Sequence, residues 1–476
     1  MKELIIDDSL GSVRAAVLED GLLCEIHAEK QKDEDLTECL FYGRIVSIRP
    51  SINAAFVDIG ERLHAFLPMS EGMKLKCGDM LIVQGIAQQV AESKGLRISE
   101  KLNLAGKWLV LIPEHPGVHI SKKVKNPQLR DALLEIGKEI CPDGCGLIIR
   151  TASEEVTKEL LCEEVQALYA LWLSVKQKAA GMKAPGLLHR RIPLLLRLAR
   201  DLKHVDHIAV NSTRGMDMLC AAQREHMISD MTAIDFFEEK QQLIFDAYQI
   251  EHQIDKALKK RVWLPCGGYL VIDYCEAMTV IDVNSGKMIL GRELEETAFR
   301  VNLQAADEIV RQLRLRDIGG IVMVDFIDMK LEENRKALLE HMRNAASRDR
   351  TQVSIEGMTR LGLMELSRKR IHTQLHKALR GSCSYCSGMG EVLSAEETAM
   401  RALRQVRRQV VAGQRGPFVI RCAAPVFHAL SAMHAHDNTV VYAAASSGRH
   451  VENYEIEQIG NGISIPREAV ALKQGD

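Results

Sequence analysis

The segment Gly267-Gly-Tyr-Leu-Val-Ile-Asp273-Tyr-Cys-Glu-Ala-Met-Thr-Val-Ile-Asp282-Val-Asn284-Ser-Gly286 decides how the chain is read. It is joined by a long amphipathic run to Gly319-Gly-Ile-Val-Met-Val-Asp325-Phe-Ile-Asp328-Met329. Two β-branched runs, Tyr269 to Asp273 and Ala277 to Val283, flank the polar break Tyr274-Cys275-Glu276, the pattern of a hairpin. From Arg292 to Arg316, the residues Ala298, Asn302, Ala305, Ala306, Ile309 and Leu313 recur at helical spacing. Gly319-Gly320 then ends the run before a third strand over Ile321 to Ile327. Side chains alternate faces along a strand, so Asp282 and Asn284 share one face, and Asp325 stands near the end of the third strand. A third strand beside the hairpin brings two carboxylates and a carboxamide together.

Carboxylates on strands this apolar are costly unless they are paired or hold a cation. A small, all-oxygen donor set suits Mg²⁺ or Mn²⁺, which keep their waters and complete their shell with a phosphate. The chemistry implied is metal-assisted phosphodiester cleavage, in which the cation activates water and neutralises the developing charge. Strand-end Asp residues that cap loops or pair with Arg are the other reading, and the segment by itself leaves both open.

Further stretches carry a family resemblance. Ile281-Asp-Val-Asn-Ser285, Asn302-Leu-Gln-Ala-Ala-Asp-Glu-Ile309, Arg311-Gln-Leu-Arg-Leu-Arg-Asp317 and Val324-Asp-Phe-Ile-Asp-Met329 resemble the catalytic core of the RNase E/RNase G endoribonucleases. The resemblance implies that Asp282 and Asp325 bind a catalytic Mg²⁺, with Mn²⁺ as an alternative, and that Asn284 supports them. It also implies cleavage of single-stranded RNA to give 5′-phosphate and 3′-hydroxyl ends.

The 476 residues suffice for about three domains. Lys plus Arg number 62 against 64 Asp plus Glu, so any RNA-binding charge must be local. Aromatic residues make up 4%, so base-stacking platforms are few. No apolar run reaches transmembrane length, and Met1 to Leu10 does not resemble a signal peptide; a cytoplasmic location is expected. Most of the 12 Cys are isolated in apolar patterns, as in a reducing compartment.

The stretches Lys2 to Asp7, Ser12 to Leu18 and Leu22 to His27 alternate as strands. Short strands with turns between them then run from Leu40 to Val83, the spacing of a small OB-type barrel. Phe56 and Phe66, with Lys94, Arg97 and Lys101 following, would supply stacking and phosphate contact; two core phenylalanines are the other reading. The pattern Gly43-Arg-Ile-Val46, Ala54-Ala-Phe-Val-Asp-Ile-Gly60 and Phe66-Leu-Pro68 is similar to the family's RNA-binding barrel, which implies RNA contacts at Phe56, Phe66 and Lys94. Arg150-Thr151 stands at a strand-to-helix junction, where an anion could be held. An N-capping Thr beside a surface Arg explains the pair equally. The resemblance implies a pocket for a 5′-monophosphate RNA end built from Gly106, Val110, Arg150 and Thr151, with Ser153 where the family often has Gly. Leu243 to Lys260 reads as one helix.

Arg360, Arg368, Lys369 and Arg370 form a local basic cluster, or else one solvated helix face. Cys383-Ser-Tyr-Cys386 before Gly388 and Gly390 is half of a four-thiolate zinc site, or a free thiol pair in a turn. The family's matching Cys-Pro-x-Cys implies one Zn²⁺ shared between two subunits, with Ser384 here in place of the Pro. The implied partners are single-stranded RNA and a second copy of the chain, in homodimers that could pair into tetramers. The chain stops without a low-complexity tail, which points to the compact RNase G type.

The expected fold is α+β and multidomain. The resemblance implies that residues 1–36 with 195–257 form an RNase H-like subdomain, 37–99 the OB-type barrel, 100–194 the 5′-sensor, 258–379 a DNase I-like catalytic α/β subdomain and 380–392 the zinc-link, with 393–476 a small C-terminal domain. The function implied is a Mg²⁺-dependent endoribonuclease stimulated by a 5′-monophosphate, in rRNA maturation or mRNA decay. The rival is a non-catalytic RNA-binding or ribosome-associated protein, and the catalytic unit alone leaves a DNA nuclease open.

Overall fold

The N-terminal alternation forms β1 (Lys2–Ser9), β2 (Ser12–Glu19) and β3 (Leu22–Lys30). Each hairpin turns through two left-handed residues, Leu10-Gly11 (φ 52° and 72°) and Asp20-Gly21 (φ 50° and 77°), whose twist matches that of the strands. The computed structural model describes residues 1–30, 36–69, 75–87, 95–124, 126–286, 294–371, 373–414, 416–435, 440–459, 465–466 and 468–474. The chain divides into two compact units, Met1–Leu375 and His376–Asp476.

In the first unit β4 (Leu40–Arg49), β5 (Ala54–Asp58), β6 (Ala65–Pro68), β7 (Met80–Ala87) and β8 (Arg97–Ser99) pair in the order β4-β5-β6-β8-β7, and β7 returns to β4 to close a small barrel. Phe41, Ala55, Val57, Ala65, Leu67 and Ile98 fill its interior. A second sheet contains β9 (Leu104–Ala105), β10 (Leu109–Ile112), β11 (Gly117–Ile120) and β12 (Gly146–Ile149). It packs against α1 (Pro127–Ile140) and α2 (Lys158–Gly181). Asn126 caps α1 by accepting from the Gln128 and Leu129 amides, with Pro127 preset in the first turn. After β13 (Gly186–His189), which adds to β4, come α3 (Leu194–Asp201), β14 (His207–Val210), α4 (Thr213–Arg224) and β15 (Ala233–Phe236). β14 pairs in parallel with β1, giving the order β15-β14-β1-β2-β3. The helix expected from Leu243 to Lys260 is two, α5 (Ile244–Ala247) and α6 (Ile250–Ala257), because Gln249 adopts a left-handed conformation (φ 55°).

The hairpin, helix and strand of the opening segment are β17 (Tyr269–Tyr274), β18 (Met278–Asn284), α7 (Leu294–Leu315) and β19 (Gly320–Asp325), with β16 (Arg261–Trp263) before them. Then follow α8 (Glu332–Ala346), β20 (Val353–Met358) and β21 (Leu363–Arg368). The sheet order is β16-β17-β18-β19-β21-β20, with β18 and β19 parallel. One face, carrying Leu270, Ile272, Ile281, Val283, Val322 and Val324, is buried under Ala305, Ile309 and Leu313 of α7 and Leu338 and Met342 of α8. Each such aliphatic side chain stabilises by about 1.5–3 kcal/mol on full burial. The other face lacks a helical cover among the described residues, and its side chains are exposed or half-buried.

The basic run after Gly357 is a hairpin rather than a helix, and alternation disperses it. Arg368 points inward on β21, buried against Asp349 (2.8 Å) and Asp317 (2.8 Å). Arg370 folds over Gly319 and donates to its carbonyl. Arg360 and Lys369 stay exposed at opposite ends of the strand. In the second unit a helix at Ala395–Val411, capped by Ser394, packs on strands Phe418–Cys422, Val441–Ala445 and Tyr454–Gln458.

The Arg-rich end of α7 is internal cement. Arg314 pairs with Glu19 (2.7 Å) and Glu25 (3.1 Å), Arg311 donates to the Leu23 carbonyl, and Arg350 pairs with Glu25. Burial pushes the Glu25 carboxyl up, but the His27 hydrogen bond and the charges of Arg350, His27 and Arg314 outweigh it and hold the group far below the usual carboxylate range. A depressed folded-state pKa gives stability that is complete above the unfolded value of 4.5 and is lost as pH falls below it. Glu25→Ala should therefore cost about 3–5 kcal/mol at neutral pH, and denaturant unfolding should show that gap narrowing as the solution is acidified.

Candidate active site

The parallel register of β18 and β19 sets Asp282 directly opposite Asp325, each at the C-terminal end of its strand and on the open face. The antiparallel register of β17 and β18 sets Tyr269 opposite Asn284 and Val271 opposite Asp282. Asn284 Nδ2 donates to Asp282 Oδ2 at 2.6 Å, so the carboxamide fixes one carboxylate. Two glycines let the chain close beside it. A Cβ on Gly268 would lie 2.8 Å from the Asn284 carbonyl oxygen, and one on Gly286, whose φ is 63°, would lie 2.4 Å from the Gly267 carbonyl oxygen.

The segment after Asp325 is held from α7. Asn302, fully buried, donates to the Ile327 carbonyl (2.8 Å) and accepts from the Ile327 amide (3.0 Å). Glu295, in the first turn of the same helix, accepts from the Lys330 and Leu331 amides and from Asn334, which satisfies the start of α8. Gln304 accepts from the Cys266 amide on the other side of the site. The sequence placed Asn302 in the buried stripe of the helix and gave no sign of this clamp; a carboxamide in an otherwise Ala, Val and Ile stripe was the available signal.

Partial desolvation, then the charges of Asp282 and Asp328, push the Asp325 carboxyl above its ordinary range. Asp328 had been read only as part of a family-like string, and its place three residues after Asp325 was the cue. Among the described residues neither Asp282 nor Asp325 pairs with Lys or Arg or accepts a backbone amide, so nothing described here makes them loop caps or ion-pair partners. Also among the described residues, no three His, Cys, Asp or Glu side chains gather as a metal cage. Two facing carboxylates, one oriented by an amide, fit a hard divalent cation that completes its shell with water and phosphate oxygens.

On the barrel, Phe56 and Phe66 are register partners on β5 and β6, half-buried, with ring centroids 6.0 Å apart and 73° between planes. Their neighbours Ala55, Val57, Ala65 and Leu67 point to the interior, so the two rings lie on the outer face and not in the core. Arg97 is the register partner of Phe66 on β8 and is exposed. Lys94 lies outside the described residues.

Gly106, Val110, Arg150 and Thr151 converge at the β10–β12 end of the second sheet. Val110 pairs with Ala105 and Ile148, the Arg150 amide bonds the Trp108 carbonyl, and Arg150 Nη1 bonds the Gly106 carbonyl at 2.6 Å. Arg150 also pairs with Asp201 (2.9 Å), keeping 32% of its side chain exposed. The Lys107, Trp108 and Leu109 amides all turn to the Glu164 carboxylate, and a Cβ on Gly106 would collide with that carboxylate at 2.4 Å. Ser153 is buried and donates to the Trp108 carbonyl (2.6 Å), adding a tie where a Gly would have none. Thr151 is the first residue of a 3₁₀ turn whose N-cap position is held by Arg150, so Thr151 is not the N-cap.

In the second unit Cys383 and Cys386 flank a turn. The Gly390 amide reaches Cys386 Sγ at 3.2 Å, and hydrogen bonds from the Cys386 and Tyr385 amides lower the Cys383 thiol pKa. The Tyr385 and His450 rings meet at a 44° tilt with centroids 4.1 Å apart.

A model of the Ribonuclease E/G family matches residues 103–371. The chain belongs to that family. Ribonuclease G of Salmonella typhimurium (strain SL1344) is 32% identical over 457 residues, covering 91% of this chain and 93% of that protein. Ribonuclease G of Escherichia coli (strain K12) is 31% identical over the same span. Ribonuclease E of Escherichia coli (strain K12) is 33% identical over 441 residues, covering 86% of this chain but 41% of that protein. Family membership makes the chain an endoribonuclease of ribonuclease G size. Within this ribonuclease E/G frame, Asn302→Ala should remove both Ile327 bonds and cost about 1–3 kcal/mol of stability by urea denaturation. Cleavage should fall further than stability explains, because the strand end that carries Asp325 loses its clamp.

Proposed function

We propose that this chain is a Mg²⁺-dependent endoribonuclease that cuts single-stranded RNA internally, is stimulated by a 5′-monophosphate, and leaves 5′-phosphate and 3′-hydroxyl ends. The observation that supports it most is the parallel register that faces Asp282 with Asp325 on an open sheet face. When bound, Mg²⁺ (or Mn²⁺) would supply a nucleophile from water and neutralise charge developing on the phosphodiester. Asp282 and Asp325 would hold the cation, and Asn284 fixes the orientation of Asp282 by its 2.6 Å bond. The Asn302 clamp keeps Asp325 in place. The half-buried Phe56 and Phe66 pair offers stacking surface on the outer face of the barrel, with Lys94 and Arg97 for phosphates. Arg150 presents its exposed edge, and Thr151 its hydroxyl, to the terminal phosphate, while Asp201 orients the guanidinium. The wider role is rRNA maturation or mRNA decay in the cytoplasm, and among the described residues no helix is long and apolar enough to cross a membrane.

Cys383 and Cys386 supply half of a thiolate tetrahedron, and a second copy of the chain would supply the rest, in dimers that could pair further into tetramers.

A short A/U-rich RNA carrying 5′-monophosphate, 5′-triphosphate or 5′-hydroxyl tests the enzyme and the sensor together. Internal cuts should require Mg²⁺, be fastest with monophosphate, and drop at least about a hundredfold in Asp282→Asn with Asp325→Asn, while RNA binding persists. Binding without cutting under any divalent metal would move the protein to a non-catalytic RNA binder, and equal cutting of DNA would remove the sugar selectivity. For the link, elemental analysis should find about half a Zn²⁺ per chain, lost together with the dimer in Cys383→Ser. One Zn²⁺ per chain would exclude a shared site.

A further inference from the structure

The open face of the catalytic sheet carries more than the carboxylates. Register places Trp263 opposite Tyr269 and Tyr269 opposite Asn284, one row across β16, β17 and β18. The adjacent row runs Arg261, Val271, Asp282, Asp325. Val262, between Arg261 and Trp263, packs against the core, which confirms that its two neighbours face outward. The Trp263 and Tyr269 rings stand 5.2 Å apart at 58°, and the Arg261 guanidinium lies 4.5 Å from the Tyr269 centroid and 5.9 Å from that of Trp263.

Trp263 is 63% exposed, whereas Trp172 is buried and Trp108 packs against a core. A large indole left in water without burial forgoes much of what a Trp contributes to folding. Among the described residues Arg261 has no carboxylate partner, so its charge is available to a phosphate while its guanidinium lies against the Tyr269 ring. β16 stands two strand spacings from β18, roughly 10 Å, which a short extended segment of single strand crosses.

We propose that Trp263, Tyr269 and Arg261 form a base-stacking subsite for single-stranded RNA flanking the bond cut at Asp282 and Asp325. A nucleobase lies on the exposed indole, and Arg261 takes an adjoining phosphate oxygen. The subsite rests on the ribonuclease reading of the neighbouring carboxylates. Stacking tolerates any base, so it adds affinity and registers the strand against the cut without dictating sequence.

The test uses the full chain and a short single-stranded RNA, with binding measured in the non-cutting Asp282→Asn, Asp325→Asn background. Trp263→Ala should bind about fivefold to tenfold more weakly and Trp263→Phe nearly as wild type. Arg261→Gln should weaken binding and flatten its salt dependence. When an abasic nucleotide is walked along the RNA, the Trp263→Ala deficit should vanish at one position a fixed distance from the cut. A deficit equal for every abasic RNA, or no deficit, overturns the subsite. So does a concentration-dependent association between copies that Trp263→Ala abolishes while RNA affinity is unchanged. Wild-type cleavage of the unmodified RNA with Mg²⁺ is measured alongside. Cutting by wild type with no effect of Trp263→Ala removes the subsite and leaves the enzyme, whereas failure of wild type to cut removes the ribonuclease reading and the subsite with it.

Discussion

Two carboxylates facing each other across adjacent parallel strands are the constraint on which the candidate site depends. Across strands about 4.8 Å apart, partial desolvation and then the repulsion of Asp282 and Asp328 push the Asp325 carboxyl up. Holding like charges together is favoured only if something outweighs the repulsion, as the proposed divalent cation would. The scaffold around the pair is correspondingly stiff. One helix, α7, reaches both sides of it: Glu295 holds the start of α8, Asn302 the segment after Asp325, and Gln304 the loop before β17. The far end of α7 is bolted to β2 and β3 through Arg311 and Arg314.

That division of labour explains the charge balance. Net charge is −2, and many of the Arg side chains in the family-like strings are committed internally. Arg316 is buried against Gln312, Tyr274 and the Lys259 carbonyl, and Arg368 against Asp349 and Asp317. The cations left to meet a polyanion are local ones, such as Arg97 beside Phe66 and Arg261 beside Trp263, each next to an aromatic ring. Pairing a guanidinium with a ring gives more affinity for single-stranded nucleic acid per charge than a bare basic surface does.

The hairpin, helix and strand around Asp282 and Asp325 are legible in sequence because two periodicities meet there. Alternation set Asp282 and Asn284 on one face and the Ala298-to-Leu313 spacing set the buried stripe of α7, so only the side-by-side placement of β18 and β19 had to come from the fold. Other features left no local trace. The parallel pairing of β1 with β14 joins segments that composition does not connect. The outward turn of Phe56 and Phe66 depends on barrel register, and the break at Gln249 on one left-handed residue in a helical pattern. The basic run at Arg368 misled because charge counts ignore which way a strand residue points. The outward face of Trp263 has no signature in sequence, because the three residues of β16 are too short to show a period.

Manganese binding followed by electron paramagnetic resonance addresses the central claim without depending on any RNA substrate. Wild-type protein should bind one Mn²⁺ that Mg²⁺ displaces, and Asp282→Asn and Asp325→Asn should each abolish it while Cys383→Ser leaves it intact. Undiminished Mn²⁺ binding in the doubly substituted protein would contradict the assignment of the facing carboxylates as the metal site.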